Sequence, residues 1–195
     1  MATALEPLPA ATAADLFALP EEARFHELVD GDLVQKGAPT GEHGNAQGGL
    51  VGSLRGPYHR RPSDRWPGGW WILVEVEVQL DERNVLRPDV VGWRRERVPE
   101  CPKGTPVAIR PDWVCEILSS RRSNDLIRKK RIYHRHAVPH YWIVDPEEES
   151  LSVNRYSPDG YIEVLTALRG ERVRAEPFAA IELAVGVLFG DEPED

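Results

Sequence analysis

Four residues set the terms of this chain: Asp89, which follows Pro88 in the run LRPDVVGW, Glu116, which interrupts the apolar run DWVCEIL, and the adjacent Lys129 and Lys130 of DLIRKKRIY. Metal-dependent hydrolysis of a phosphodiester needs this set. A hard divalent cation such as Mg²⁺ takes oxygen ligands and keeps several of its waters. Two carboxylates supply the charge that holds it, and the cation polarises a phosphoryl oxygen and lowers the pKa of a bound water. A lysine alongside orients that water or offsets charge on the pentavalent phosphorus. Aspartate, glutamate and lysine are common, so residue type alone does not select this chemistry; placement has to.

Placement begins with the strand predicted over Asp112 to Leu118. Side chains alternate in a strand, so Trp113, Cys115 and Ile117 share one face and Val114, Glu116 and Leu118 the other. Glu116 therefore sits among apolar neighbours, where an unpaired ionised carboxylate costs several kcal/mol, roughly, and must find a cation, a metal or a proton. The run stops at Ser119 and Ser120, and a helix opens near Ser123, Asn124 and Asp125, all good N-cap types. At about 100° per residue, Leu126, Tyr133 and Ala137 form its apolar stripe, and Lys129 and Lys130 border that stripe on either side. Pro139 ends the helix by Val138, and His140 to Asp145 reads as the next buried strand.

Upstream, RFHELVDGDLVQK is a hairpin, Arg24 to Val29 and Asp32 to Lys36, around the tight-turn dipeptide Asp30-Gly31. Glu27 shares a face with Phe25 and Val29, and is either a second carboxylate on a buried side or a salt-bridged surface glutamate. Thr12 can cap a short helix over Ala13 to Leu19. His43 to His59 has Leu50, Leu54 and Tyr58 at helical spacing, although Gly44, Gly48, Gly49 and Gly52 each count against a helix by about 1 kcal/mol. Neither GxxxxGK[ST] nor GxGxxG is present, so these glycines are not a phosphate loop. Trp70 to Leu80 reads as the longest strand, with Val74, Val76 and Val78 inward and Glu75, Glu77 and Gln79 outward or towards a neighbouring edge. A turn at Asp81 to Asn84 leads to an antiparallel strand in which Asp89, Val91 and Trp93 share a face, with Pro88 at its entrance. Val98 to Arg110, with three prolines, reads as a loop able to act as a flap. Leu151 to Tyr156 and Tyr161 to Leu168 form a hairpin around SPDG, followed by Val173 to Phe178 and an apolar end, Ile181 to Phe189.

At 195 residues the chain fits one domain, placed at 12–189, after a flexible 1–11 and before an acidic tail at 190–195. A net charge of −8 argues against a protein that coats nucleic acid non-specifically. Arg121 to Arg135 nevertheless holds seven Lys or Arg and one acid, which is either a phosphate-facing patch or the wet face of a helix. Cys101 and Cys115 form no CxxC pattern and fit free thiols in a reducing cytoplasm. No signal peptide and no apolar run of about 20 residues is seen, so a cytoplasmic chain without a membrane span is expected. In HRHAVPH, His134 and His136 point about 200° apart on a helix and cannot easily share a zinc ion. Ser119 and Ser120 lack a GxSxG elbow and read as turn and cap residues. Trp70, Trp71, Trp113, Trp142 and Tyr141 lie in strand runs and are assigned to the core.

RPDVVGW, PDWVCEILS, DLIRKKRIY and VPHYWIVD, in this order, resemble the Uma-type family of bacterial restriction endonucleases, a branch of the PD-(D/E)XK nuclease-like superfamily. RFHELVDGDLV and His43 resemble its N-terminal segment, so the likeness runs from about Ala13 to Phe189. It implies an α/β fold with a restriction-endonuclease-like core: a central mixed β-sheet flanked by helices, with an N-terminal β-hairpin. It also implies Mg²⁺, with Mn²⁺ as a substitute, and DNA as substrate. Asp89 is then the motif aspartate and Glu116 the motif acid, both metal ligands, helped by a backbone carbonyl near Ile117. Leu118 stands where the motif lysine is expected, and Lys129 on the following helix takes the matching position. Glu27 looks like the accessory acid, and His43 is carried over with it. The glycine-rich segment after His43, and His140 where an acid is common, depart from the pattern. Arg121, Arg122, Arg128 and Arg131 are the phosphate-contact candidates, with His43 a further DNA-binding candidate, and a homodimer would suit cutting both strands. The alternatives are a catalytically silent nuclease-like protein kept for DNA binding or assembly, and a nuclease for RNA or branched substrates.

Overall fold

A computed structural model describes residues 10–20, 25–119 and 124–192. In chain order the elements are α1 (Ala13–Phe17), β1 (His26–Val29), β2 (Asp32–Gln35), α2 (Gly41–Tyr58), β3 (Trp70–Val74), β4 (Val78–Asp81), β5 (Asn84–Leu86), β6 (Val90–Arg94) and β7 (Trp113–Ile117). After a π-helical turn, Asn124–Lys129, come α3 (Lys130–Arg135), β8 (His140–Asp145), β9 (Ser150–Ser157), β10 (Gly160–Leu168), the two-residue strands β11 (Arg172–Val173) and β12 (Leu183–Ala184), and a 3₁₀ turn, Val185–Phe189. Among the described residues no helix is long and apolar enough to cross a membrane.

The centre is a mixed six-stranded sheet in the order β10-β9-β8-β7-β6-β3, in which only β7 and β8 run parallel. Parallel neighbours need a crossover, and the segment carrying Lys129 is that crossover. The alternation read from the sequence sorts the two faces. Trp113, Cys115 and Ile117 pack under α2 with Ala46, Leu50, Leu54 and Tyr58, while Val114 and Leu118 face Ile132 and Tyr133 of α3. Phe178 sits at the middle of the first face, its ring centroid 4.8–5.7 Å from those of Tyr58, Trp70, Trp113 and Trp142. Trp70, Trp113 and Trp142 are therefore packing residues, as expected.

A second, four-stranded sheet, β2-β1-β5-β4, covers part of the other face. Its hairpin turns at Asp30 and Gly31, both at positive φ, the geometry Asp-Gly favours. One expectation needs correction here: Trp70 to Leu80 is two strands in two different sheets. Glu75 takes φ +53°, and this left-handed residue turns the chain from one sheet to the other. Alternation holds only while the backbone stays extended, so the kink resets it: Val74 is exposed although Val78 is buried. The flap expected at Val98 to Arg110 is also corrected. Val107 exchanges backbone hydrogen bonds with Glu77 and Gln79 (2.8 and 3.0 Å), and the Trp71 and Trp93 indoles donate to the carbonyls of Val98 and Ile109 (both 2.9 Å).

At the chain's ends, Ala11 N–H donates to Gly31 (2.8 Å) and Asp191 pairs with Arg169 (2.6 Å); the remainder of the expected flexible ends, 1–9 and 193–195, lies outside the described residues.

The glycine-rich segment is a full helix, capped by the Thr40 hydroxyl on the His43 N–H at 3.3 Å. Its glycines divide by environment. A Cβ on Gly49 would stand 2.4 Å from the Val187 carbonyl oxygen, whereas Gly44, Gly48 and Gly52 face open space. Gly48→Ala is therefore expected to stabilise the protein by about 0.5–1 kcal/mol through helix propensity. Gly49→Ala should destabilise it by about 1–3 kcal/mol by forcing α2 off the 3₁₀ turn. Thermal denaturation of the two variants, one position apart, reads both signs.

Candidate active site

The register of the sheet explains why the acids meet. Val90 on β6 pairs with Cys115 on β7, so one step along the same ladder Asp89 lies level with Glu116. Opposed residues of an antiparallel pair project to the same face, and here that face looks towards β1 and the crossover. Asp89 is fixed from three directions. Its Oδ2 accepts the Ile117 N–H (2.6 Å), and its Oδ1 meets the Lys36 ammonium (2.9 Å) and His43 Nε2 (3.3 Å). Burial pushes the Asp89 carboxyl up, but the His43 hydrogen bond and the charges of Lys36, His43 and Lys129 outweigh it and hold it below the usual carboxylate range.

Glu116, 1% exposed, has found the cation its position demands. Its Oε2 lies 3.0 Å from the Lys129 ammonium and its Oε1 accepts the Tyr133 hydroxyl at 2.7 Å. Burial, then the Glu116 charge, raise the Tyr133 phenol well above its ordinary value, so it stays a donor. Lys129 also reaches Glu27 Oε2 on β1 (2.9 Å), and Glu27 Oε1 accepts the Arg87 N–H (2.7 Å). One buried ammonium thus joins a carboxylate of the small sheet to one of the central sheet.

The two lysines that the helical wheel could not separate go different ways. Lys129 ends the wide π turn and points into the cleft; Lys130 begins α3 and donates to Asn154 Oδ1 on β9 (2.8 Å). An assumed 100° per residue mis-set them because a π turn advances less per residue than an α turn. Arg128 is committed to the hairpin, through the Val29 carbonyl (2.8 Å) and Asp32 (2.7 Å). Arg131 is exposed and lines a separate depression with Lys130, His134 and Tyr161. Arg121, Arg122 and the expected cap at Ser123 lie outside the described residues.

Two residues that sequence reasoning missed complete the cleft. Lys36 donates to Glu75 Oε2 (2.8 Å), Asp89 Oδ1 (2.9 Å) and the Arg87 carbonyl (2.9 Å). Burial lowers its pKa, but the Asp89, Glu116 and Glu75 charges outweigh that and raise it, so it is an ammonium. Glu75 is turned inward by its positive φ, and its Oε1 accepts from Gln47 (3.3 Å). Parity with Val34 was the available signal for Lys36; a non-glycine at positive φ leaves no signal for Glu75.

Glu27, Lys36, His43, Glu75, Asp89, Glu116 and Lys129 all line one cleft of about 490 Å³. Four carboxylates face two ammonium groups there, and Arg87 is answered by Glu77 at 2.7 Å. That donor set fits a hard divalent cation. Among the described residues, donor atoms of His43, Glu75 and Asp89 lie within 4.8 Å of one another, and His43 Nδ1 is buried with no hydrogen-bond partner.

Of the three histidines of HRHAVPH, His134 meets the Ser157 carbonyl (2.7 Å) and His136 meets Asp81 (2.9 Å), while His140 Nδ1 lies 3.8 Å from Glu176, beyond hydrogen-bond reach. Burial, then Arg94 and Arg155, pull the His140 pKa down to about 4. The folded state therefore favours the neutral ring, and this share of stability is complete above about pH 6.5 and lost as the pH falls towards about 4. His140→Asn should show a smaller fall in melting temperature across that window than the parent chain does.

The model of the Uma2 family, described as putative restriction endonuclease, matches residues 13–186. Among solved structures, one described as a putative nuclease belonging to DUF820, from Anabaena variabilis, has a TM-score of 0.69 at 23% identity, over 91% of this chain and 97% of that one, a likeness of fold. No curated protein matches.

Proposed function

This chain belongs to the Uma2 family, described as putative restriction endonucleases, and from that premise we propose that it is an endonuclease that hydrolyses DNA phosphodiester bonds with a divalent cation, Mg²⁺ or Mn²⁺. The observation that carries the reading is the meeting of Asp89, Glu116 and Lys129 in one cleft, from two neighbouring strands and the crossover between β7 and β8. Asp89 would hold the cation, with Glu116 level with it on the next strand and with His43 and Glu75 in reach. When bound, such a cation neutralises phosphoryl charge and acidifies a water.

The chain's own groups do the rest. Tyr133 and Lys129 hold both oxygens of Glu116, which keeps that carboxylate aimed. Lys129, held between Glu116 and Glu27, presents a cation where negative charge develops on the phosphoryl oxygens. Glu27 sets the position of that ammonium and touches no reacting atom itself. Exposed Arg131, together with Arg121 and Arg122, is assigned to the DNA backbone, so binding should weaken as salt rises. Cutting both strands of a duplex then takes two copies of the chain or two visits by one.

Supercoiled circular DNA tests this. Conversion to nicked or linear forms by the parent chain with Mg²⁺ or Mn²⁺, abolished by a chelator and by Asp89→Asn, supports it. Circles left intact after long incubation, with DNA still retarded on a gel, would assign the chain to binding without turnover; cleavage of RNA alone would move the substrate.

A further inference from the structure

Every carboxylate oxygen in the cleft already has a donor. Glu27 takes the Arg87 N–H and Lys129; Glu116 takes Tyr133 and Lys129; Asp89 takes the Ile117 N–H on one oxygen and Lys36 with His43 on the other; Glu75 takes Gln47 and Lys36. A cation that binds Asp89 must therefore replace something. Two of these donors are backbone amides and cannot leave. Lys129 is clamped between two buried carboxylates, its side chain 4% exposed, and Tyr133 is fully buried. Lys36 is the group with a way out: its side chain is 18% exposed and stands just past β2, an edge strand of the small sheet.

The Lys36 ammonium also stands where a cation would. It lies 2.8 Å from Glu75 Oε2 and 2.9 Å from both Asp89 Oδ1 and the Arg87 carbonyl, one acceptor for each of its three N–H bonds. Glu75 and Asp89 are two of the three residues whose donor atoms converge closely enough to share an ion. Mg²⁺ takes its oxygens at about 2.0–2.1 Å, so an ammonium and a metal cannot both lie between these two carboxylates.

We propose that Lys36 is a tethered counter-ion that keeps Asp89 and Glu75 paired until a divalent cation takes its place, so that loading the site exchanges an ammonium for a metal ion. The proposal rests on the metal-dependent reading above and goes beyond it. Lys36 is a positioning residue: it holds the acids together without the metal and lowers the net affinity for it, since each binding event must first break three hydrogen bonds.

Titration of Mn²⁺ into the parent chain, Lys36→Met and Asp89→Asn, followed calorimetrically, tests the exchange, with melting temperatures taken with and without Mn²⁺. Lys36→Met is expected to bind Mn²⁺ at least about tenfold more tightly than the parent, because a unit positive charge no longer competes. Its melting temperature without metal should fall, and Mn²⁺ should raise it by more than it raises the parent's. Lys36→Gln, which keeps a donor but no charge, should move the same way if Lys36→Met fails to fold. Unchanged or weaker binding in the neutral variants overturns the exchange, while loss of binding in Asp89→Asn alone would leave the metal site standing. No heat from the parent or from either neutral variant removes both readings. Binding by the neutral variants alone supports the exchange in its strongest form.

Discussion

Asp89→Asn is expected to lower the rate of DNA cleavage by about a thousandfold or more, the scale on which electrostatic and metal-binding groups act in such sites. The substitution keeps the shape and removes the charge, and hydrogen-bond bookkeeping shows why no neutral isostere serves. Both oxygens of Asp89 accept: one from the Ile117 amide, the other from Lys36 and His43. An asparagine offers one acceptor and one donor, so its NH₂ must face either the Ile117 N–H or the Lys36 ammonium, donor against donor. A stability loss of roughly 1–3 kcal/mol follows from the group left unsatisfied. Cleavage and thermal denaturation measured on the same preparation separate the effects. A variant that stays folded at the assay temperature and still cleaves at more than a tenth of the parent rate would remove Asp89 from the reaction.

The largest expected effect on stability belongs to Lys129→Met. Methionine fills the space of the lysine stem but leaves Glu27 and Glu116 facing one another without the cation they share at 2.9 and 3.0 Å. Breaking a buried pair by removing one partner costs about 3–5 kcal/mol, which in a domain of this size lowers the melting temperature by roughly 6–20 °C. Activity should vanish with it. Lys130→Met is the matched control, because the Lys130 contact with buried Asn154 lies away from the cleft; its cleavage rate should stay close to the parent's, and its melting temperature should fall by less, for one lost hydrogen bond. Equal losses in the two variants would mean that neighbouring lysines are interchangeable, against the geometry.

The sequence was legible where one local rule governs one residue. Parity in β7 placed Glu116 opposite the tryptophan face, and its burial obliged a cation to come to it. Asp30-Gly31 announced the hairpin, and Pro139 the end of the crossover helix. Legibility failed where tertiary packing set the backbone. Nothing in the run of valines from Val74 to Val78 betrays that Glu75 is left-handed, so the long strand looked continuous and its best-placed acid looked external. Lys36 could be read only as the end of a predicted strand, because the residues that enclose it, Glu75, Arg87 and Asp89, arrive from the other side of the fold. Gly49 could not be told from Gly48 by composition, since only the Val187 carbonyl distinguishes them.

The wide turn that ends at Lys129 has a consequence for how such a chain can change. The acids are written into paired strands, where slipping by one residue would turn every side chain to the wrong face. The lysine rides on a bridge between strands, where gaining or losing a residue swings its side chain round the helix axis while both sheets keep their partners. Evolution can therefore retune the reach of the ammonium as a tuner turns a peg, leaving the frame of the instrument alone.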